Sequence, residues 1–441
     1  MAWMRARRRR GRAAGRLAPL LAVLAVAAPP APARGEEGPT PQPPRPSAGP
    51  QIHERLLKLV RWYLAEESPS RREDFLEAIE TLVGDDLGPL LGLLRAGRHR
   101  TLDAAPRLRT DDEPPAFDGE EVELRRVASS AGHLAVLEPP DPYDPQKTYP
   151  LILDLGFSTR LPLPHDAFRV HLDPRRYAGT AQGVESLVLS LQRYLLGRFP
   201  IDPERVFLHG DLLRQLDAVR LAWYVALHNP DRFAGVLAGR KGWKGGVRLA
   251  PNGAHLVALA IAGRNQDPVL AQLVAALKRH NEAHRLLHRP RNKGDTDLLP
   301  DIRHWWSYAR RKSTPARISL VIDRPEPMRA FWLRAHPKVR SVHRAKVAGR
   351  TARRMRIPAT IEAEVVQKDL IVVKTHRIVA FDLYVDPRLI DVEAVRVSID
   401  GSKVPQARAV FPNVADLLED FAERRDPALL SVCKLTFTVG G

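Results

Sequence analysis

The sequence predicts an α/β protein: a mostly parallel sheet with helices on both faces, an N-terminal helical segment before it, and a C-terminal β-sandwich-like domain after it. Three observations carry this. Between about residues 150 and 310, short apolar runs alternate with helical stretches of ten or more residues, which calls for parallel strands joined by crossover helices. Beyond Pro315 the apolar residues recur at every second position with turn signals between the runs, the pattern of short antiparallel strands. Ahead of both, from Ile52 to Arg95, apolar residues recur at helical spacing.

Taken in order, residues 1–33 read as an export signal. Arg5 to Arg16 holds seven arginines and no acid, Leu17 to Ala28 is a short apolar run, and Ala31-Pro32-Ala33 offers a small-residue cleavage site. The apolar run falls short of the ~20 residues that span a bilayer, and no later stretch is apolar enough to do so. Localisation is therefore expected to be periplasmic or extracellular. Residues 34–50 form a proline-rich linker. A helical segment follows over 51–110: Leu56, Leu59, Val60 and Tyr63 mark one helix, Phe75, Ile79 and Leu82 a second, and Leu87 to Leu94 a third. Their apolar faces are expected against one another or against the next domain.

The central domain is expected over 115–312. Its strands are Val122 to Val127, His133 to Leu137, the unbroken run Leu151 to Leu155, Val206 to His209, Gly235 to Ala238, Leu256 to Ile261 and Arg285 to Leu287. Its helices are Ala181 to Phe199, Gln215 to His228, Val269 to Asn281 and Asp301 to Ala309. The C-terminal domain, 316–441, has expected strands at Ile318 to Ile322, Ala330 to Leu333, Ile361 to Val365, Ile371 to Thr375, Ile378 to Val385, Val395 to Ile399 and Ser431 to Val439. A helix at Val414 to Arg424 precedes the last strand, and Asp400-Gly401 signals a tight hairpin turn.

The net charge is +18, and seven of these units fall in the signal, leaving +11 for the remainder. Such a charge favours anionic surfaces or polymers. A single cysteine, Cys433, excludes an internal disulfide, and its apolar neighbours Val432 and Leu435 indicate a buried, inert thiol.

Three segments carry a family resemblance: Tyr149-Pro-Leu-Ile-Leu-Asp-Leu-Gly156, Ile201-Asp-Pro-Glu-Arg-Val-Phe-Leu-His-Gly210, and His228-Asn-Pro-Asp-Arg-Phe-Ala-Gly-Val236. In this order they resemble exported α/β-hydrolases of the polyhydroxyalkanoate depolymerase and feruloyl-esterase type, over roughly residues 120–310. The resemblance implies a serine nucleophile on a Gly-x-Ser-x-Gly turn, a histidine base, an acid that orients it, and an oxyanion hole. At the turn, Gly210 keeps the first glycine, Asp211 follows, Leu212 stands in the serine position, and Arg214 replaces the second glycine. The oxyanion segment keeps only the glycine of Leu155-Gly156. Asp267, in Gly263-Arg-Asn-Gln-Asp267, matches the acid, while the stretch of the base, Lys293-Gly294-Asp295-Thr296-Asp297, contains no histidine.

Other candidates are weaker. Ser158 has no evident base and reads as a loop residue. His280, His284 and His288 fall four apart, as zinc-binding histidines on a helix can, but Pro290 and a strand-like run break the helix, so no metal is expected. Trp305, Trp306 and Tyr308 read as core. The basic run 338–356 lacks aromatic residues for stacking, so specific nucleic-acid binding is not expected. The resulting expectation is an exported, catalytically degenerate hydrolase-fold protein with no cofactor, binding a polymeric or anionic envelope ligand. The alternatives are an active ester hydrolase with relocated groups, drawing on Asp211, Asp267, His209 or His304, and a polyanion binder acting through 338–356.

Overall fold

The computed structural model describes residues 50–97, 100, 135–144, 146–155, 166–172, 180–210, 216–239, 241–262, 267–288, 295–338, 346–347, 350–351, 357–402 and 404–439. The expected signal, the expected linker up to residue 49, the strand expected at Val122 to Val127, most of the basic run, Ser158, and the turn residues Asp211, Leu212 and Arg214 lie outside them.

The α/β fold class is observed, with a mostly parallel central sheet covered by helices on both faces. Seven strands, β1 (Ala135–Glu138), β2 (Tyr149–Asp154), β3 (Phe168–Leu172), β4 (Ile201–Gly210), β5 (Gly235–Gly239), β6 (Val257–Ala262) and β7 (Arg285–His288), lie in the order β1-β3-β2-β4-β5-β6-β7. Only the edge strand β1 runs antiparallel to its neighbour. One face of this sheet is buried under Ala181–Arg198, Leu216–His228 and Pro268–Lys278, through Leu151, Leu153, Val206, Leu208 and Val236 among others. The opposite face, with Ile152, Phe207, Leu237 and Leu259, packs on the helix Leu299–Tyr308. Trp305 and Trp306 of that helix are core residues, their rings 5.2 and 4.3 Å from that of Phe207.

The C-terminal strands form two sheets. One is ordered β18-β15-β10-β9 and the other β17-β16-β14-β13-β8, where β8 is Arg317–Ile322, β9 Met328–Ala330, β10 Leu333–Pro337, β13 Ala359–Gln367, β14 Leu370–His376, β15 Ile378–Val385, β16 Ala394–Ile399, β17 Gln406–Ala409 and β18 Cys433–Thr438. A two-stranded ribbon, β11 (Lys346–Val347) and β12 (Arg350–Thr351), falls within the basic run. The single strand expected at Ala330 to Leu333 is in fact the turn between β9 and β10, with Phe331 at φ 53°. Burial of Phe331 and Trp332 gives this turn a strand-like composition. At the expected hairpin, Asp400 and Gly401 have φ 50° and 77°, and Ser402 N donates to Ile399 O over 2.9 Å. Cys433 is buried, and burial pushes its thiol upward.

The N-terminal helices are α1 (Pro50–Ala65), α2 (Pro69–Val83) and α3 (Gly88–Arg95). They pack on the β-rich C-terminal part, sharing one core: Leu56, Val60, Ile79 and Leu90 join Ile361, Phe381, Leu418 and Phe437. The remaining helices, in chain order, are α4 (Ala181–Arg198), α5 (Leu216–His228), α6 (Lys244–Arg248), α7 (Pro268–Lys278), α8 (Leu299–Tyr308) and α9 (Val414–Arg424).

Buried charges join the central sheet's lobe to the C-terminal part. Asp231, in the Asn229-Pro230-Asp231-Arg232-Phe233 turn after α5, is 1% exposed and lies 2.6 Å from Arg424 Nη1 of α9. Arg311 donates to the Asp231 carbonyl over 2.5 Å and pairs with both oxygens of Asp426, at 2.6 and 3.0 Å. Arg329 of β9 pairs with Asp420 of α9, which also accepts from Ser431 Oγ over 2.6 Å. Such pairs repay their desolvation only with this degree of mutual satisfaction.

Candidate functional site

In an open parallel sheet the carboxyl ends of the strands form the edge where ligands meet the fold. Here that edge is set by Asp154, Leu172, Gly210, Gly239, Ala262 and His288, the last residues of β2 to β7. Gly210 ends β4, and packing alone accounts for the glycine. A Cβ on it would stand 2.9 Å from Val219 Cα and 3.1 Å from Ala218 O of α5. Close approach of helix to strand, independent of any nucleophile, therefore requires the absence of a side chain.

Asp267 is placed as a capping residue. Its Oδ1 accepts from Val269 N over 2.8 Å at the start of α7, and its Oδ2 accepts from Gly242 N over 3.2 Å. Both oxygens thus brace backbone, the usual work of an N-cap aspartate. Asp295 begins the 3-10 turn Asp295–Leu298 that leads into α8. The structure does not gather the three spaced histidines. The helix ends at Lys278, His280 and His288 are exposed, and His284 is fully buried. His284 Nδ1 accepts from Ala258 N over 3.0 Å and its Nε2 donates to Gly253 O over 3.2 Å, a structural bridge with a fixed tautomer. No cluster of metal-binding side chains occurs among the described residues. His304 is exposed on α8, its ring 5.2 Å from that of Tyr308.

What the edge does contain is a row of ionisable groups. Parallel pairing sets Asp154 of β2 opposite His171 of β3 on one side and His209 of β4 on the other. Neighbouring strands lie about 4.8 Å apart, so the three side chains stand abreast on one face. That face is the one carrying Ile152 and Phe207, because residues two apart point the same way. Asp154 is fully buried. Its Oδ1 lies 2.8 Å from His209 Nδ1 and its Oδ2 lies 3.0 Å from His171 Nδ1. His171 Nε2 in turn lies 3.1 Å from Glu138 Oε2 of β1, and Arg169 Nη1 lies 3.6 Å from the same oxygen.

The electrostatics follow from these distances. Burial alone would push the Asp154 carboxyl upward. The His209 charge and hydrogen bonds from both imidazoles outweigh it and hold the group below the usual carboxylate range. Burial likewise disfavours charged His171, but the hydrogen bonds and charges of Asp154 and Glu138 raise it above an ordinary histidine. His209 is 1% exposed, and its Nε2 is buried with no hydrogen-bond partner among the described residues.

Sequence reasoning named His209 but missed Asp154, His171 and Glu138. The signal for Asp154 is its place in Leu151-Ile-Leu-Asp-Leu155, where a carboxylate interrupts a strand buried along its length. A buried acid needs partners, and only neighbouring strands can supply them.

No family model matches the chain, and no curated protein matches it. Solved structures of similar backbone include a thermostable esterase, with 15% identity and a TM-score of 0.30 over 40% of this chain and 59% of that one. The glucuronoyl esterase of Sporotrichum thermophile has 11% identity and a TM-score of 0.31, over 40% of this chain and 68% of its own. Est1E of Butyrivibrio proteoclasticus has 10% identity and a TM-score of 0.30, over 39% of this chain and 91% of its own.

Proposed function

We propose that this is an exported α/β-hydrolase-fold protein, descended from a serine esterase or depolymerase, that has lost serine catalysis and uses the carboxyl edge of its sheet for binding. The observation that carries the reading is Leu212, two residues beyond the end of β4, in the position from which the family's serine acts. A leucine side chain has no lone pair with which to attack a carbonyl. Loss of the nucleophile or of the base alone costs on the order of 10⁶ in turnover in a serine hydrolase. Here the 293–297 stretch also lacks a histidine. Asp267, which matches the acid, has both oxygens on backbone N–H groups. The ligand class that fits the positive charge and the export signal is an anionic or polymeric envelope component.

The test is a broad fluorophosphonate probe on the purified mature protein, with an active serine esterase in parallel. The reading expects no mass shift here and full labelling of the control. A labelled serine, located by digestion, would overturn it.

A further inference from the structure

The three parts of the chain meet at the C-terminal end of α1, and they meet there through arginines. The last turn of α1 has no basic residue of its own, so its free carbonyls take donors from elsewhere. Arg425, which follows α9, donates from Nη2 to Leu64 O. Arg72 of α2 donates from Nε and Nη2 to Glu66 O over 3.1 and 2.6 Å, and its guanidinium lies 5.6 Å from the centre of the Tyr63 ring. On its other side Arg425 lies along α4, with Cγ and Cδ 3.8 and 3.9 Å from the place a Cβ would take on Gly197. Arg193 stands four residues before Gly197, one turn away on the same face of α4. Because α4 leads into β4, this cluster sits at the amino edge of the central sheet, away from the row at the carboxyl edge.

Capping α1 uses only part of this donor set. Arg72 commits two of its nitrogens, Arg425 one, and Arg193, exposed on α4, none. None of the three pairs with a carboxylate among the described residues. Glu66 turns its Oε1 to the N–H groups of Glu67 and Ser68, and Glu419 stands exposed on α9. Arg311, Arg329 and Arg424, by contrast, each face a carboxylate. Burial, then the charges of Arg193 and Arg72, lower Arg425 to about 10, with Tyr63 opposing. Arg425 is also held at φ 55° and ψ 27°, left-handed backbone that glycine or asparagine adopts at less cost after a helix. Such strain persists where the side chain has a task. We propose that Arg72, Arg193 and Arg425 form a binding site for a phosphate monoester group, carried either by a soluble phosphate compound or by a lipid headgroup. A dianion of this kind offers oxygens to more than one guanidinium fork at once and supplies the charge the cluster lacks. The site is separate from the carboxyl edge and does not depend on whether serine catalysis survives.

The experiment titrates inorganic phosphate into the whole mature protein by calorimetry at constant ionic strength, in wild type, R193Q, R425N and R408Q. Arg193 has no hydrogen bond or ion pair to lose, so R193Q is expected to melt with wild type when phosphate is absent. Asparagine at 425 keeps a residue that tolerates the left-handed backbone. R408Q removes one exposed positive charge from the edge strand β17, which measures the effect of net charge alone. The expected result is saturable binding at one site per chain, weakened about 10-fold in R193Q and in R425N, the scale of one charge-assisted hydrogen bond, and unchanged in R408Q. Flotation with vesicles of phosphatidylcholine, with and without phosphatidate, separates the sources. Phosphatidate-dependent flotation lost in R193Q assigns a lipid headgroup, whereas phosphate binding without flotation assigns a soluble compound, and each supports the site. No saturable binding up to about 20 mM phosphate, or equal weakening in R193Q and R408Q, would overturn the proposal. Either failure leaves the fluorophosphonate result, and the serine-less reading that rests on it, untouched.

Discussion

Arg424→Met is the sharpest probe of how the two lobes are held together. The guanidinium is 1% exposed, with Nη1 2.6 Å from Asp231 and Nε 3.8 Å from Asp420. Methionine fills much the same volume but leaves two buried carboxylates short of a cation. Removing one partner of a buried pair costs roughly 3–5 kcal/mol. Asp231 keeps the Phe331 N–H at 3.1 Å, and Asp420 keeps Arg329 and Ser431, so the lower end, about 3 kcal/mol, is expected. The assay is urea unfolding followed by circular dichroism and tryptophan emission, comparing wild type, R424M, D231N and R424M/D231N. Because the double variant removes both charges of the pair, it should be less destabilised than the sum of the single variants by at least ~1 kcal/mol. Acid should act in the same direction. Burial raises the Asp231 carboxyl, but Arg424 and Arg232 outweigh this and lower it. A depressed carboxylate stabilises the fold above its unfolded value of about 3.9 and loses that contribution as pH falls through the folded one. A loss below about 1 kcal/mol in R424M, or strict additivity in the double variant, would refute a buried clasp.

Two further outcomes follow from single side chains. His284 is lowered to about 4, chiefly by burial, with the Gly253 carbonyl opposing and nearby His280 and Lys278 adding to the effect. The unfolded chain, at about 6.5, then takes up the proton first, so stability should be full above pH ~6.5 and fall by up to ~3 kcal/mol toward pH ~4. Urea midpoints at several pH values measure this, and a slope unchanged in H284N would refute the assignment. Asp267→Ala should cost about 1 kcal/mol in thermal unfolding through loss of the α7 cap, with D267N largely retaining it.

The legible part of this fold was the part whose signal is local. The run Leu151 to Leu155 and the helix from Ala181 announced themselves by apolar continuity and by period. Strand β3 was missed because Arg169 and His171 alternate with its apolar residues, which breaks the continuous pattern of a buried parallel strand. The turn at Phe331 was missed because it contains neither glycine nor asparagine, although its φ is positive. The partner of the N-terminal helices was beyond local reading, since Leu56 and Val60 share one core with Phe381 and Leu418, more than 300 positions away in the chain. The candidate site divides in the same way. Asp154 is an anomaly that a single strand exposes, whereas the row Glu138, His171, Asp154, His209 exists only once register sets four strands side by side.

The two buried charge clusters of this protein act on different scales. Around Asp231 and Asp420, each carboxylate faces an arginine and a further donor, and the cluster ties the Asn229-Pro-Asp-Arg-Phe233 turn to α9. Breaking it would leave charges buried on both sides, so it holds elements distant in sequence in one arrangement. At the carboxyl edge Asp154 joins the Nδ1 atoms of His171 and His209, so one carboxylate ties the ends of three adjacent strands. Without those two rings the buried carboxylate would be uncompensated, which makes the register of β2, β3 and β4 a condition for burying it at all.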